Sequence, residues 1–306
     1  MYYRRKLFLS LLKKLDKPVN FVELQKFLFL ISLRQDKPRT YDFVPNKYGC
    51  YSFTVHTDQK ILESQGFISF IPDKNNKIFS KVILNNSALD NLDIVLKGDD
   101  SAIVSSVVRK YGNLTTPELV NIAYKERPFY TIYSEWIERM GTDEEFQRNL
   151  KKSTDIIKSA PRALYTIGYE GLNIESFILK LIGKNIKMVI DVRKNPISMK
   201  KDFSKSRLRK YLGEVNIEYT HIPKVGIPTE IRNEYLPTGR RMELFKWYED
   251  NILPLNTESI DEIIKSTATQ NVALLCFEKN PLECHRTHLA YFCNQFNNEI
   301  PVQHIL

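Results

Sequence analysis

The chain has 306 residues, of which 42% are hydrophobic and 11% aromatic, enough for two domains with real cores and too apolar for a disordered chain. Its longest apolar runs, such as Phe27–Leu33 and Val272–Phe277, fall far short of the ~20 residues a membrane-spanning helix needs. The basic start Met1–Lys6 runs into Lys13 and Lys14 without a small-residue cleavage site, so neither a membrane partner nor a signal peptide is expected.

Four cysteines, Cys50, Cys276, Cys284 and Cys293, make no disulfide scaffold in a chain this long and fit a reducing cytoplasm. The formal charge of +9 is uneven. Residues 1–150 carry 22 Lys/Arg against 18 Asp/Glu, residues 193–246 carry 13 against 6, and residues 247–306 carry 3 against 8. The local basic stretch suits a polyanion, either nucleic acid or nucleotide, although solvated helix faces would carry the same charge.

In chain order, apolar residues at 7, 8, 11, 12 and 15 predict a helix over Arg4–Leu15. Asn20, with Glu23 in the first turn, predicts a capped helix over Phe21–Leu33. The aromatic segment Tyr41–Phe53 is punctuated by Pro45 and Gly49. A third helix over Thr54–Gln65 stops at Gly66 and leads into an extended Phe67–Ile71. Thr116 with Pro117 predicts another helix start. Residues 1–150 therefore read as a mainly helical, winged-helix-like domain. Gln25–Phe29, the run Tyr41–Ser52 with its Lys47-Tyr-Gly-Cys-Tyr-Ser, Tyr124 and Pro128 give this part a resemblance to the SocA-like antitoxin family, or Panacea domain. That family usually has proline where Cys50 stands. The resemblance implies an antitoxin or adaptor module that docks a protein partner.

Charged, poorly patterned sequence from Thr142 to Ser159 places a domain boundary before Pro161. Residues 161–306 then alternate. Strands are expected over Ala163–Gly168, Ile186–Val192, Ile217–Ile222, Val272–Phe277 and Val302–Leu306. Helices are expected over Ile174–Gly183, Ser204–Leu212, Met242–Asn251, Ile260–Lys265 and Glu283–Phe296. An irregular insert runs through Arg241. The predicted class is α/β, with a mostly parallel sheet and helices on both faces.

Polar residues follow each of four strands: Tyr169-Glu170, Asp191 with Arg193, His221, and Cys276-Phe-Glu278 running into Cys284-His285-Arg286. In a parallel sheet these strand ends share one edge, where ligands bind. The helix start near Cys284 favours an anion, with Arg286 as a bidentate fork and Arg193 beside it. Cys284 next to His285 suits a nucleophile of lowered pKa. Asp191 with Glu278 suits a carboxylate pair for acid–base work. Cys276, Cys284, His285 and His288 offer metal-ligand types, but their spacing matches no familiar zinc pattern. Neither a metal nor a cofactor is expected. Lys200, Lys201, Lys205, Arg207, Arg209 and Lys210, directly after the Asp191 strand, are candidate phosphate contacts for a nucleic acid.

The stretches Tyr165-Thr-Ile-Gly168, Asp191-Val-Arg193, Phe203-Ser204, Tyr219-Thr-His221-Ile-Pro, Leu275-Cys-Phe-Glu278 and Cys284-His-Arg286 closely resemble the domain of unknown function 488 family across residues 163–306. Tyr169-Glu170 stands where that family usually has a His-Ser pair, and Val225-Gly226-Ile227 where it has leucine and two glycines. The resemblance implies a fold and a site but no reaction. Three functions stay open: action on a nucleic acid or nucleotide, ligand sensing without turnover in a toxin–antitoxin or phage-defence system, and thiol chemistry at Cys284 or Cys276.

Overall fold

A computed structural model describes residues 1–36, 38–73, 80–85, 87, 95–139, 143–296 and 300–306. The chain forms two units, Met1–Thr154 and Asp155–Leu306.

The first unit runs α1 (Tyr3–Leu15), β1 (Val19–Asn20), α2 (Phe21–Ser32), β2 (Val44–Asn46), β3 (Gly49–Tyr51), α3 (Phe53–Ser64), β4 (Ile68–Ile71), β5 (Lys81–Leu84), α4 (Asp100–Tyr111) and α5 (Thr116–Glu126). Strands β4 and β5 pair antiparallel, and β5 also pairs with β1. Helices followed by a hairpin that closes on a short strand give the winged-helix order, with the β2–β3 hairpin inserted after α2. The apolar stripe of α1 is buried, and α2 opens on a reciprocal capping box between Asn20 and Glu23. Helix α5 corrects one expectation. Its cap is Thr115, three residues before Glu118, whose carboxylate accepts the Thr115 N–H at 2.8 Å. Thr116 instead bridges Glu23 of α2 and its capping residue Asn20.

The residues that carry the SocA-like resemblance hold this unit together from inside. The Gln25 amide exchanges two hydrogen bonds with the Ser52 backbone. The Lys26 ammonium, 1% exposed, donates to the carbonyls of Tyr48 and Cys50; burial lowers its pKa. Gly49 has φ +81°, and a Cβ there would lie 2.4 Å from the Tyr124 ring, so only glycine lets Tyr124 close on the hairpin. A second buried centre is Asp58, which accepts from Arg4 at 2.5 Å, Arg5 at 2.7 Å and Tyr41 at 3.1 Å.

The stretch expected to be poorly patterned is a helix, α6 (Glu144–Lys158), and the division between the units falls inside it. Asp143 accepts the Phe146 N–H at 2.9 Å, and Glu144 and Glu145 fill the first turn. Among its few apolar residues, Phe146, Leu150 and Ile157 still recur at helical spacing, and the polar residues at its start add the capping signal.

The second unit continues β6 (Leu164–Gly168), α7 (Ile174–Gly183), β7 (Ile186–Asp191), α8 (Lys205–Gly213), β8 (Glu218–His221), α9 (Thr229–Tyr235), α10 (Arg241–Asn251), α11 (Thr257–Thr269), β9 (Asn271–Cys276), α12 (His285–Phe296) and β10 (Val302–Ile305). The five strands form one parallel sheet in the order β10-β6-β9-β7-β8. β6 and β9 are buried along their whole length, as a sheet covered on both faces requires. The chain steps outward through β7 and β8, then returns to insert β9 beside β6. Crossovers in these opposite directions, right-handed as such connections are as a rule, put helices on both faces. The insert expected to be irregular contains α9, a helix of seven residues whose only apolar pair, Ile231 and Tyr235, is partly buried against the core.

Replacing Asp58 with Ala strands two partly buried guanidinium groups and the Tyr41 hydroxyl. The expected loss is about 3–5 kcal/mol, measured by urea denaturation followed through the fluorescence of the first unit. A loss below about 1 kcal/mol, the worth of an exposed ion pair, would show that the cluster does not stabilise the fold.

Candidate functional site

Because β9 lies between β6 and β7, their C-terminal ends meet at the point where strand order reverses, the place where open parallel sheets bind ligands. Gly168 pairs with Cys276, Asp191 with Leu275, and Asp191 also with His221. The segments beyond these strands approach one another closely. A Cβ on Gly168 would stand 1.8 Å from the Glu278 carbonyl oxygen, and one on Gly226 would stand 2.3 Å from the Lys194 nitrogen.

Asp191, fully buried, is held by its neighbour two residues on. Arg193 donates to the two carboxylate oxygens from Nε at 2.8 Å and Nη2 at 2.5 Å, and Tyr219 donates its hydroxyl at 2.6 Å. Two further Arg193 donors reach the Tyr169 hydroxyl and the Phe203 carbonyl, both at 2.9 Å. Burial disfavours the Arg193 charge, but Asp191 more than compensates, so its pKa rises. Burial and then Asp191 push the Tyr219 phenol up. Tyr169 lies flat on Phe203, with ring centroids 4.4 Å apart, and edge-on to Phe277.

Beside this clamp opens a cleft of about 430 Å³, within the range of small-molecule sites. Tyr169, Phe277, Cys276, Glu278, Cys284 and His285 form its inner wall, and Arg193, Lys194, Lys200, Arg232 and Arg241 bring cationic side chains to it. Against these five stand two lining carboxylates, Glu278 and Glu283. Glu283 is paired with Arg241 at 2.5 Å. Ile197 and Met199, exposed and apolar, complete the rim.

Inside the cleft, the Cys276 thiol lies 3.3 Å from a Glu278 oxygen and 3.7 Å from His285 Nδ1, which is 3.9 Å from Cys284 Sγ. His285 Nε2 points to the Val192 carbonyl at 3.1 Å. Burial opposes charge on Cys284, but hydrogen bonds from Cys276 and His285 draw its pKa well below the usual thiol value. The Cys284 sulfur and burial drive Cys276 up, and burial followed by Cys284 raises Glu278.

The sequence-predicted residues thus divide. Tyr169, Arg193, Cys276, Glu278, Cys284, His285 and Lys200 line one cleft. Asp191 does not. It is saturated by Arg193 and Tyr219, so it forms no acid–base pair with Glu278. His221 is turned to the backbone, with Nε2 2.9 Å from the Arg193 carbonyl and Nδ1 3.2 Å from Lys205 Nζ. Arg286 presents no fork to an anion: it is 1% exposed and donates to the carbonyls of Glu278 and Lys279 at 2.6 and 3.3 Å. His288 stands apart from the sulfur cluster, hydrogen-bonded to Glu249 at 2.7 Å. On and before α8, Lys201, Lys205, Arg207, Arg209 and Lys210 are exposed. Arg207 pairs with Asp202, and Arg209 lies over the Tyr219 ring. Lys194 follows Arg193 at the end of the second strand; sequence reasoning missed Arg232 and Arg241, whose only signal was the charge of the insert.

Residues 173–293 match the sequence model of a family described as Domain of unknown function DUF488. The span holds β7, β8 and β9 with the segments that follow them, and does not reach the first unit. No protein of curated description matches the chain.

The two glycines of the second unit that differ most in their surroundings test this packing. Gly168→Ala must separate β6 from the Cys276–Glu278 segment, at a cost of about 1–3 kcal/mol. Gly183→Ala meets nothing within 4 Å and is expected to be neutral or to stabilise by up to about 1 kcal/mol. Equal effects in chemical denaturation would contradict the close approach.

Proposed function

We propose that the second unit binds a nucleotide, or a nucleic-acid strand one unit at a time, in the cleft at the strand ends and acts on it with the Cys276–Glu278–Cys284–His285 cluster. The supporting observation is the lining: beyond the Arg193–Asp191 and Arg241–Glu283 pairs, it brings Lys194, Lys200 and Arg232 to the cleft, beside an exposed aromatic ring, Phe277. Cations suit phosphates, while Phe277 with Ile197 and Met199 offers apolar faces for a base. The exposed cations of α8 extend the same charge outward for a longer strand.

A second reading, ligand sensing without turnover, draws on Tyr169. Where the resembled family usually carries histidine, this side chain is 3% exposed and engaged by Phe203 and Arg193. For the first unit we propose a protein-docking role in a cytoplasmic toxin–antitoxin or defence system, on its resemblance to SocA-like antitoxins. A partner would meet surfaces other than the motif residues Gln25, Lys26 and Gly49, which serve the interior.

Fluorescence-anisotropy titration of labelled mononucleotides and single strands at several salt concentrations tests the cleft. Arg232→Ala with Lys194→Ala should weaken mononucleotide binding at least about tenfold, as loss of a charged contact worth ~1.5–3 kcal/mol implies. Lys205, Arg207 and Arg209 replaced by Ala should spare mononucleotides. For strands, they should flatten a log–log salt slope of roughly −3, the value for four phosphate contacts at about −0.7 each. Absence of binding at low salt by folded protein would refute the reading. Binding without any product by mass spectrometry would favour sensing.

A further inference from the structure

The sulfur and nitrogen atoms in the cleft satisfy a condition that the reading above does not require. Cys276 ends β9, Cys284 directly precedes α12, and His285 is the first residue of α12. Cys276 Sγ, Cys284 Sγ and His285 Nδ1 lie within 4.8 Å of one another, and no other such group occurs among the described residues. A tetrahedral ion bonded at about 2.3 Å to sulfur and about 2.0–2.1 Å to nitrogen sets sulfur and nitrogen roughly 3.5 Å apart. The observed separations are 3.7 and 3.9 Å, so a contraction of a few tenths of an ångström would bring both sulfurs to the imidazole at ligand spacing.

The imidazole already has the orientation a ligand needs. The Val192 carbonyl can only accept, so Nε2 carries hydrogen, and Nδ1 faces the two sulfurs. Metal-bound histidines are fixed in this way by a backbone carbonyl behind the ring. All three side chains are buried, at 5%, 1% and 9% exposure, so a bound ion is shielded from exchange. Glu278 stands beside the set, outside the 4.8 Å group but with one oxygen 3.3 Å from Cys276 Sγ and its carboxylate in the cleft lining, so a side-chain movement would bring it to a fourth position. Arg286 serves the site from behind, holding the carbonyls of Glu278 and Lys279 and so the segment that carries the fourth donor. Two thiolates and an imidazole select a soft or borderline ion over magnesium or calcium.

We propose that Cys276, Cys284 and His285 bind a zinc ion, with the fourth position open to the cleft, where Glu278 can swing in and an incoming substrate atom displace it. Ligation converts both thiols to thiolates and releases their protons to solvent, with no change of oxidation state. The sequence hides this site because Cys276-x-Glu278 and Cys284-His285 leave no spacing of a known zinc pattern. His288, the remaining histidine of the segment, is not part of it.

The test is the metal content of the full chain, produced in zinc-supplemented medium without a histidine tag and measured by inductively coupled plasma mass spectrometry. One zinc per chain is expected, lost in Cys276→Ser, Cys284→Ser and His285→Gln and retained in Cys293→Ser and His288→Gln. Should the ligand variants misfold, cobalt(II) added to metal-free wild-type protein gives a second readout: a sulfur-to-cobalt charge-transfer band with the intense visible bands of four-coordinate geometry. Background zinc together with no such band would overturn the proposal. So would zinc retained undiminished in both cysteine variants, or a Cys276–Cys284 disulfide in protein purified under reductant. The measurement involves no nucleotide, so its failure and that of nucleotide binding are separate results.

Discussion

A carboxylate with no exposure to water sits at the end of β7, and the guanidinium that neutralises it comes from the same chain only two residues later. Burying either charge alone costs several kcal/mol, which attraction and complete hydrogen bonding offset only when the geometry is good. Here it is good, because the planar Arg193 fork meets both Asp191 oxygens and two further donors reach Tyr169 and Phe203. Lysine, a point charge with no fork, could not serve all of these acceptors. The partners come from four places: the end of β6, the end of β7, β8, and the segment before α8. Satisfying this one ion pair therefore fixes the relative positions of the strand ends, and with them the wall of the cleft.

The same logic recurs around the edge of the sheet. His221 is set to the Arg193 carbonyl, His285 to the Val192 carbonyl, and Arg286 to the carbonyls of Glu278 and Lys279. Backbone groups beyond the last ladder bond are thus taken up by side chains, as buried polar groups must be. Two of those side chains, His221 and Arg286, are thereby removed from the ligand. What remains open toward the cleft is the cationic rim and the sulfur–imidazole–carboxylate cluster.

Much of this was legible in the sequence. Alternating apolar runs and helical stripes located the five strands and the principal helices of the second unit, and parallel pairing alone brought Cys276, Glu278, Cys284, His285 and Arg193 to one edge. Sequence could not assign direction to the side chains. Asp191, His221 and Arg286 are the residue types that ligands attract, but they are also those that bury strand-end charges and carbonyls, and only coordinates separate the two uses. Helix α6 escaped because its apolar positions are few, and α9 because its seven residues make only about two turns with a single apolar pair. The cations of the insert were visible only as charge, since nothing in their spacing announces that Arg232 and Arg241 fold back over the strand ends. Gln25, Lys26, Gly49 and Tyr124, which suggested a docking module from sequence alone, knit α2 to its hairpin and so serve folding.

The most direct test of the cleft is an amide-resolved nuclear magnetic resonance titration of the full chain with a nucleoside diphosphate at low salt. The account predicts shifts concentrated at Tyr169, Arg193, Lys194, Phe277 and Cys284, around the C-terminal ends of β6, β7 and β9. Shifts centred elsewhere in the chain, or none at millimolar ligand, would contradict it.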